Sequence, residues 1–365
     1  MQSTRKNSRR SVLRAAAGLA AGRAAALEDP LTREKPQGSI TDVGGLRVGH
    51  FTDSRRPTGC TVVLFEPGAV AGVDVRGSQP GTRETDLLNP INTVERINAL
   101  VLSGGSAFGL DTASGVMRYL DELKIGYRVG SIVVPIVPAA ILFDLGVGDP
   151  KIRPGEQAGY AACQAASSSV PREGNVGAGA GATVGKMFGM KAAMKSGIGT
   201  ASLAIGSSGL IVGAIVAVNA VGDVRHHETN KILAGARAPD GQSFLDTMAQ
   251  MLAGTTLVKA KQGGNSTIGI VATNAALSKA EATKVAQMAH DGLARTINPI
   301  HTAFDGDTIF AAATGSAAAR ADASTIGAVA AEAMALAVNR AVLTASGLPG
   351  LPAHRDLAWL KEPRP

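Results

Sequence analysis

From Ser39 onward, the apolar and polar positions divide the chain into short strand-like runs and longer helical stretches. Residues 39–43 and 46–50 read as two short strands around a Gly44-Gly45 turn, and residues 60–65, 69–75 and 98–103 are apolar enough for buried strands. The last of these runs into Gly104-Gly105-Ser106-Ala107-Phe108-Gly109, after which a helical period continues to Leu123. Residues 132–145 are strongly apolar but hold Pro135 and Pro138, which predicts strand plus loop instead of helix. Residues 202–221 alternate as a long strand or hairpin, 246–253 form a short amphipathic helix, and 268–273 a strand. Ser278 with Glu281 three positions on is a capping box for a helix reaching about Ile297. A strand at 309–313 and a long alanine-rich helix at 324–346 follow, and the proline-containing segment from Gly347 frays or wraps the surface. Strands and helices interleave without strict βαβ spacing, so the expectation is layered α/β with mixed sheets and no internal repeat.

Composition narrows this picture in three ways. A hydrophobic share of 45% over 365 residues supports a substantial core, while 45 glycines and only 3% aromatics imply closely approaching layers. The net charge of +7 lies mostly at the start, because Arg5, Lys6, Arg9, Arg10, Arg14 and Arg23 precede the first acidic residue, Glu28. The body is therefore nearly neutral, which argues against nucleic acid as a partner. Ser8-Arg9-Arg10-Ser11-Val12-Leu13-Arg14 and the alanine-rich run after it resemble a twin-arginine export signal, so residues 1–37 read as signal and linker, with a periplasmic or secreted destination. A single body spans 38–350 with a tail at 351–365; without the signal the location would be cytoplasmic, and no run from Ser39 on suggests a membrane partner. Two distant cysteines, Cys60 and Cys163, read as buried free thiols.

The candidate chemistry lies at Gly263-Gly264-Asn265-Ser266-Thr267-Ile268, where a flexible hinge meets a hydroxyl residue that opens an apolar strand. Such a site suits internal self-cleavage. The Ser266 hydroxyl attacks the Asn265 carbonyl, and the freed α-amine, with an ordinary pKa of about 7.7–8.0, becomes the base for the same hydroxyl. The bland alternative is a loop entering a strand. Other motifs fail on spacing. Gly104-Gly105-Ser106-Ala107-Phe108 has Phe108 where a nucleophile elbow needs glycine. The phosphate-loop echo from Gly179 to Lys186 starts one residue off, with Ala180 at the first glycine position and Met187 where Ser or Thr belongs. His226-His227-Glu228 lacks metal-ligand spacing, its adjacent histidines being expected to point apart, so neither metal nor cofactor is expected.

Asn265-Ser266-Thr267-Ile268-Gly269-Ile270-Val271-Ala272-Thr273-Asn274 is similar to the processing site of the P1 peptidase family, which includes L-aminopeptidase/D-esterases, β-peptidyl aminopeptidases and nylon-oligomer hydrolases. The resemblance continues in order through residues 39–43, 48–50, 59–63, 102–110 and 174–186. It implies a four-layer αββα sandwich, self-cleaved into an α chain to Asn265 and a β chain from Ser266, assembled as a homo-oligomer of αβ units and acting on peptides or small amides. Carried over by position, Ser266 is the nucleophile, Asp305 and Asp307 orient it and its amine, Asn219 donates to the oxyanion, and Lys186 lies near the nucleophile. Phe143 stands where the family often has tyrosine, and the apolar residues 134–140 suggest an aliphatic amide channel. The rivals are an acyltransferase of the ornithine acetyltransferase type and a non-catalytic exported binding protein.

Overall fold

The computed structural model describes residues 38–255 and 264–360; residues 1–37, read from sequence as signal and linker, and Gly263 of the hinge lie outside these residues. Eight strands build its centre: β1 (Arg47–Thr52), β2 (Gly59–Val75), β3 (Ile97–Ser103), β4 (Ala139–Ile141), β5 (Ile198–Ala204), β6 (Ile211–Ala217), β7 (Ile268–Thr273) and β8 (Thr308–Ala313). Five helices accompany them: α1 (Thr112–Glu122), α2 (Glu156–Gln164), α3 (Thr247–Leu252), α4 (Lys279–Thr296) and α5 (Ala323–Leu343). The strands run β5-β6-β7-β8-β2-β3-β4, with Thr82–Arg83 at the far edge and β1 also on β2. Only β7–β8 and β3–β4 pair in parallel among these neighbours.

The long strand β2 divides this assembly. Its first part, Cys60–Leu64, pairs β1 and β3, and its second, Val70–Val75, pairs β8. The register shifts between Leu64 and Ala69, across Glu66-Pro67-Gly68. Proline cannot donate to a ladder and Gly68 adopts φ +80, so this tripeptide forces a bulge where two separate strands were expected from sequence.

Side-chain alternation then assigns the faces. Val63, Phe65, Leu100 and Leu102 meet Ile215, Ile270 and Phe310 in one buried cluster. Cys60, Val62, Leu64, Ala99 and Val101 point the other way, onto Ala113 and Val116 of α1 and Ala158 and Ala162 of α2. Helices α4 and α5 lie against the other half. A methyl on Gly72 would come within 2.3 Å of the Thr283 amide nitrogen of α4, and one on Gly199 within 2.1 Å of the Ala337 carbonyl of α5. Helix α5 is long and apolar enough to cross a membrane, yet 72% of its apolar window is buried inside the fold, as a core helix requires.

Several expectations change. Residues 39–43 form not a strand but a single 3-10 turn, Ile40–Asp42, closed by the Ser39 amide donating to Asp42 Oδ2 at 2.9 Å. The helix toward Leu123 begins with a 3-10 segment, Ser106–Asp111. Residues 202–221 are the β5–β6 hairpin, and α4 carries the Ser278–Glu281 capping box. Of the apolar residues 134–140 expected to line a channel, Ile136 and Ala140 instead fill the first cluster and Val137 and Ala139 the second, while Val134 is exposed. Helix α2 had no distinct sequence signal beyond its small residues. Cys60 and Cys163 are free and buried, and burial pushes both thiols up. The rings of His226 and His227 stack at 4.9 Å instead of pointing apart, because the His226 ring accepts the amides of Glu228 and Thr229 in a turn. Leu351 and Ala353 are buried, so the described part of the tail wraps the body.

Candidate active site

Strand register brings the candidate residues together. β7 and β8 run parallel with Ile268 opposite Thr308, so the residues entering the two strands, 265–267 and 305–307, arrive side by side. Across the other edge of β7, Ala217 lies opposite Ile268 in the antiparallel β6 pairing. Continuing that ladder by two residues puts Asn219 beside Ser266, and the Ser266 amide donates to the Asn219 carbonyl at 2.7 Å. Lys186 is tied in by its backbone amide, which donates to the Val221 carbonyl at 2.9 Å. Four segments far apart in sequence thus converge on one peptide bond.

At that bond the Ser266 hydroxyl donates to the carbonyl oxygen of Asn265, the peptide preceding its own residue. The same oxygen accepts the Gly306 amide at 3.1 Å. Ser266 is buried, as are Asn265, Asp305 and Asp307. The Asn265 side chain donates to the Phe304 carbonyl at 3.2 Å. One residue back, the Gly264 carbonyl accepts Lys186 Nζ at 2.7 Å and Asn219 Nδ2 at 3.4 Å. Gly264 sits at φ +122, the region its glycine permits, with the Phe143 ring against it.

The Asn219 amide is oriented by its partners. Its Oδ1 accepts Lys186 Nζ at 2.7 Å and the Thr183 amide, an obligate donor, at 3.1 Å, so Nδ2 faces the Phe143 carbonyl at 3.1 Å and Gly264. In the intact chain Nδ2 therefore holds the Gly264 carbonyl and not that of Asn265. Phe143 contributes its backbone oxygen and ring face where a phenol was expected by resemblance. That backbone is braced by a fully buried ion pair, Arg56 Nη2 to Asp144 Oδ1 at 2.7 Å.

The carboxylates differ in surroundings. Asp307 Oδ1 accepts the Thr267 amide at 2.7 Å, and Oδ2 accepts the His301 ring Nδ1 at 2.8 Å and its amide at 3.2 Å. Asp305 Oδ2 accepts the Thr302 amide and hydroxyl at 2.9 and 2.6 Å, but its Oδ1 is buried without a hydrogen-bond partner among the described residues. Burial and then the neighbouring Asp307 hold the Asp305 carboxyl above its ordinary range. Burial lowers the Lys186 ammonium from 10.5 to about 7, and Asp305, Asp307 and Asp144 oppose that fall.

All six residues singled out from sequence, Lys186, Asn219, Asn265, Ser266, Asp305 and Asp307, meet here. Sequence reading missed the Gly306 amide, Thr183 and His301. Nothing in residue type marks a backbone amide as a donor to a chosen carbonyl, and a single histidine six positions before Asp307 belongs to no motif. Ser106 instead serves the strand-to-helix turn, where its amide donates to the Leu142 carbonyl at 3.0 Å and the Gly105 amide to Asp144 Oδ1 at 2.9 Å.

Known proteins resemble this chain over most of its length. A family model described as Peptidase family S58 matches residues 38–355. An uncharacterized aminopeptidase of Mycobacterium leprae is 45% identical over 300 residues, covering 76% of this chain and 79% of the relative. A 6-aminohexanoate-oligomer endohydrolase of Kocuria is 30% identical over 276 residues, covering 74% and 73%. Among solved structures, an L-aminopeptidase D-Ala-esterase/amidase from Ochrobactrum anthropi, described as a variant of the Ntn hydrolase fold, superposes with a TM-score of 0.64 at 21% identity, covering 89% of this chain and 94% of that one.

Proposed function

The chain belongs to peptidase family S58 and is an amide hydrolase, and from that premise we propose that it cuts itself between Asn265 and Ser266 and then works through Ser266 as an N-terminal nucleophile. The observation that carries this reading is the contact between the Ser266 hydroxyl and the Asn265 carbonyl, with the Gly306 amide donating to the same oxygen. The two groups an acyl shift would join already touch.

In that shift Oγ bonds to the Asn265 carbonyl carbon, and the carbonyl oxygen takes up negative charge opposite the Gly306 amide. The C–N bond to Ser266 then breaks. The hydroxyl proton ends on the departing nitrogen, leaving an ester on Oγ and a free amine held by the Asn219 carbonyl. Water hydrolyses the ester, restoring the hydroxyl and giving Asn265 a carboxylate. Once residues 264–265 leave, Lys186 Nζ and Asn219 Nδ2 lose the Gly264 carbonyl and become donors for an incoming acyl group. In this reading the buried, unpartnered Asp305 Oδ1 takes the new ammonium. Turnover repeats the chemistry on a substrate amide, with the α-amine as base and an acyl-enzyme as intermediate.

The two helix pairs and intervening strand halves fit the four-layer αββα sandwich, and we assign the mature protein to homo-oligomers of αβ units reached by twin-arginine export. Substrates are peptides or small amides, a range that takes in the aminopeptidase and 6-aminohexanoate-oligomer endohydrolase activities for which its relatives are named. Denaturing electrophoresis tests the core claim: the wild-type chain should separate after residue 265 into two pieces, and Ser266→Ala should stay whole and inactive. Wild-type protein that hydrolyses amides as one uncut band would overturn it.

A further inference from the structure

His301 stands outside every residue assigned above, yet it makes two of the three contacts that hold the Asp307 carboxylate. Ring Nδ1 and the backbone amide of this one residue both meet Oδ2, at 2.8 and 3.2 Å. Because an ionised carboxylate only accepts, Nδ1 carries the hydrogen. To deliver both contacts the residue takes φ +57, a left-handed conformation uncommon outside glycine and asparagine. The opposite oxygen of Asp307 accepts the amide of Thr267, the residue directly after the nucleophile, at 2.7 Å. The ring is packed edge-to-face on His290 at 4.8 Å, and its Nε2 is buried without a hydrogen-bond partner among the described residues. His290 in turn contacts the Asp74 carbonyl at 3.1 Å through Nε2. The imidazole is thus wedged so that only one nitrogen has a polar task, and that task is Asp307.

We propose that His301 is a positioning residue. It clamps Asp307 so that the carboxylate fixes the Thr267 peptide and, through it, the direction of the Ser266 side chain. The role rests on Ser266 being the nucleophile, but the clamp itself is observable without any cleavage. The two backbone amides reach one oxygen each, but the His301 amide does so only at 3.2 Å; the ring adds the shorter contact on Oδ2, at 2.8 Å, and tightens that side of the carboxylate. Both oxygens are then committed, one to each side of the β7–β8 entrance.

Two substitutions separate the ring's contribution from that of the backbone. His301→Gly keeps the left-handed conformation without strain and removes the donor. His301→Asn also tolerates that conformation, and its side-chain amide places a donor close to where Nδ1 lies. In the uncleavable Ser266→Ala background of the full chain, hydrogen exchange at the Thr267 amide should quicken tenfold or more with His301→Gly and stay within threefold with His301→Asn. In the Ser266 chain, made by cell-free translation and followed by denaturing electrophoresis, the Gly variant should cleave at least tenfold more slowly at a temperature where it remains folded, and the Asn variant should recover most of the rate. Unchanged Thr267 exchange in the Gly variant overturns the clamp, as does an Asn variant as fast-exchanging as Gly. If exchange responds while the wild-type chain never cleaves, the nucleophile reading fails and the clamp stands. If exchange responds and all variants cleave alike, the clamp exists but does not position the nucleophile, and the proposal is overturned.

Discussion

Adding one methyl group at Gly306 should stop self-cleavage while leaving the fold intact. Gly306 has no left-handed φ, so alanine meets no backbone penalty there, and the effect is steric alone. Its Cβ would lie 2.5 Å from Ser266 Oγ and 2.3 Å from the Gln79 carbonyl oxygen. Ordinary contacts begin near 3.4 Å, so each neighbour, or the 305–307 turn itself, must yield by about 1 Å. Gln79 is backbone, and its amide is tied to the Asp305 carbonyl at 2.9 Å, so the turn and the serine hydroxyl are left to move. Either displacement separates the hydroxyl, the Asn265 carbonyl and the Gly306 amide, whose 3.1 Å contact is already at the long end for a hydrogen bond. Losing one preorganised oxyanion donor costs roughly 10²–10³ in rate. Overpacking at a single buried site costs about 1–3 kcal/mol in stability, which a domain of this size should survive. The assay is a cleavage time course by denaturing electrophoresis, paired with thermal unfolding. A Gly306→Ala chain that folds and cleaves within threefold of wild type would refute the assignment of this amide to the scissile carbonyl.

Two further outcomes follow from buried charge. Arg56→Met leaves Asp144 without its ion-pair partner and strands the Val147 and Ile152 carbonyls, bonded at 2.7 and 2.8 Å, so stability should fall by about 3–5 kcal/mol in denaturant unfolding. A loss below 1 kcal/mol would show that water or a proton replaces the arginine without cost. His50 is lowered from its ordinary 6.5 to about 4, chiefly by burial, so the unfolded chain takes up a proton between those values that the folded chain refuses. Stability therefore drops as pH falls from 6.5 to 4, by at most about 3 kcal/mol from this group. His50→Asn should flatten that part of the Tm–pH curve, and an unchanged slope would remove His50 as a cause.

The strand and helix order was legible because period-two and 3.6-residue patterns are local, and capping at Ser278 needs only four consecutive residues. The turn at 39–43 misled for the same reason: its alternating residues resemble a strand, while the contacts that curl it, the Ile40 amide on Thr200 Oγ1 at 2.8 Å among them, come from β5. Residues 134–140 misled differently. An apolar run announces burial but not whether a core or a substrate does the burying, and here two hydrophobic clusters share Ile136, Val137, Ala139 and Ala140 while Val134 stays exposed.

For the site, sequence alone determined which side chains could take part, since a hydroxyl after Asn265, two carboxylates around Gly306 and the similarity that matches them are all properties of residue identity and order. Tertiary structure decided how they meet. The parallel register of β7 and β8 sets Ser266 beside 305–307, and the antiparallel register of β6 and β7 sets Asn219 on its other side. The Gly306 amide and the His301 ring enter through that register and through backbone angles. Such groups carry no signature in the chain, because a hydrogen bond depends on where a donor points once the sheet has formed.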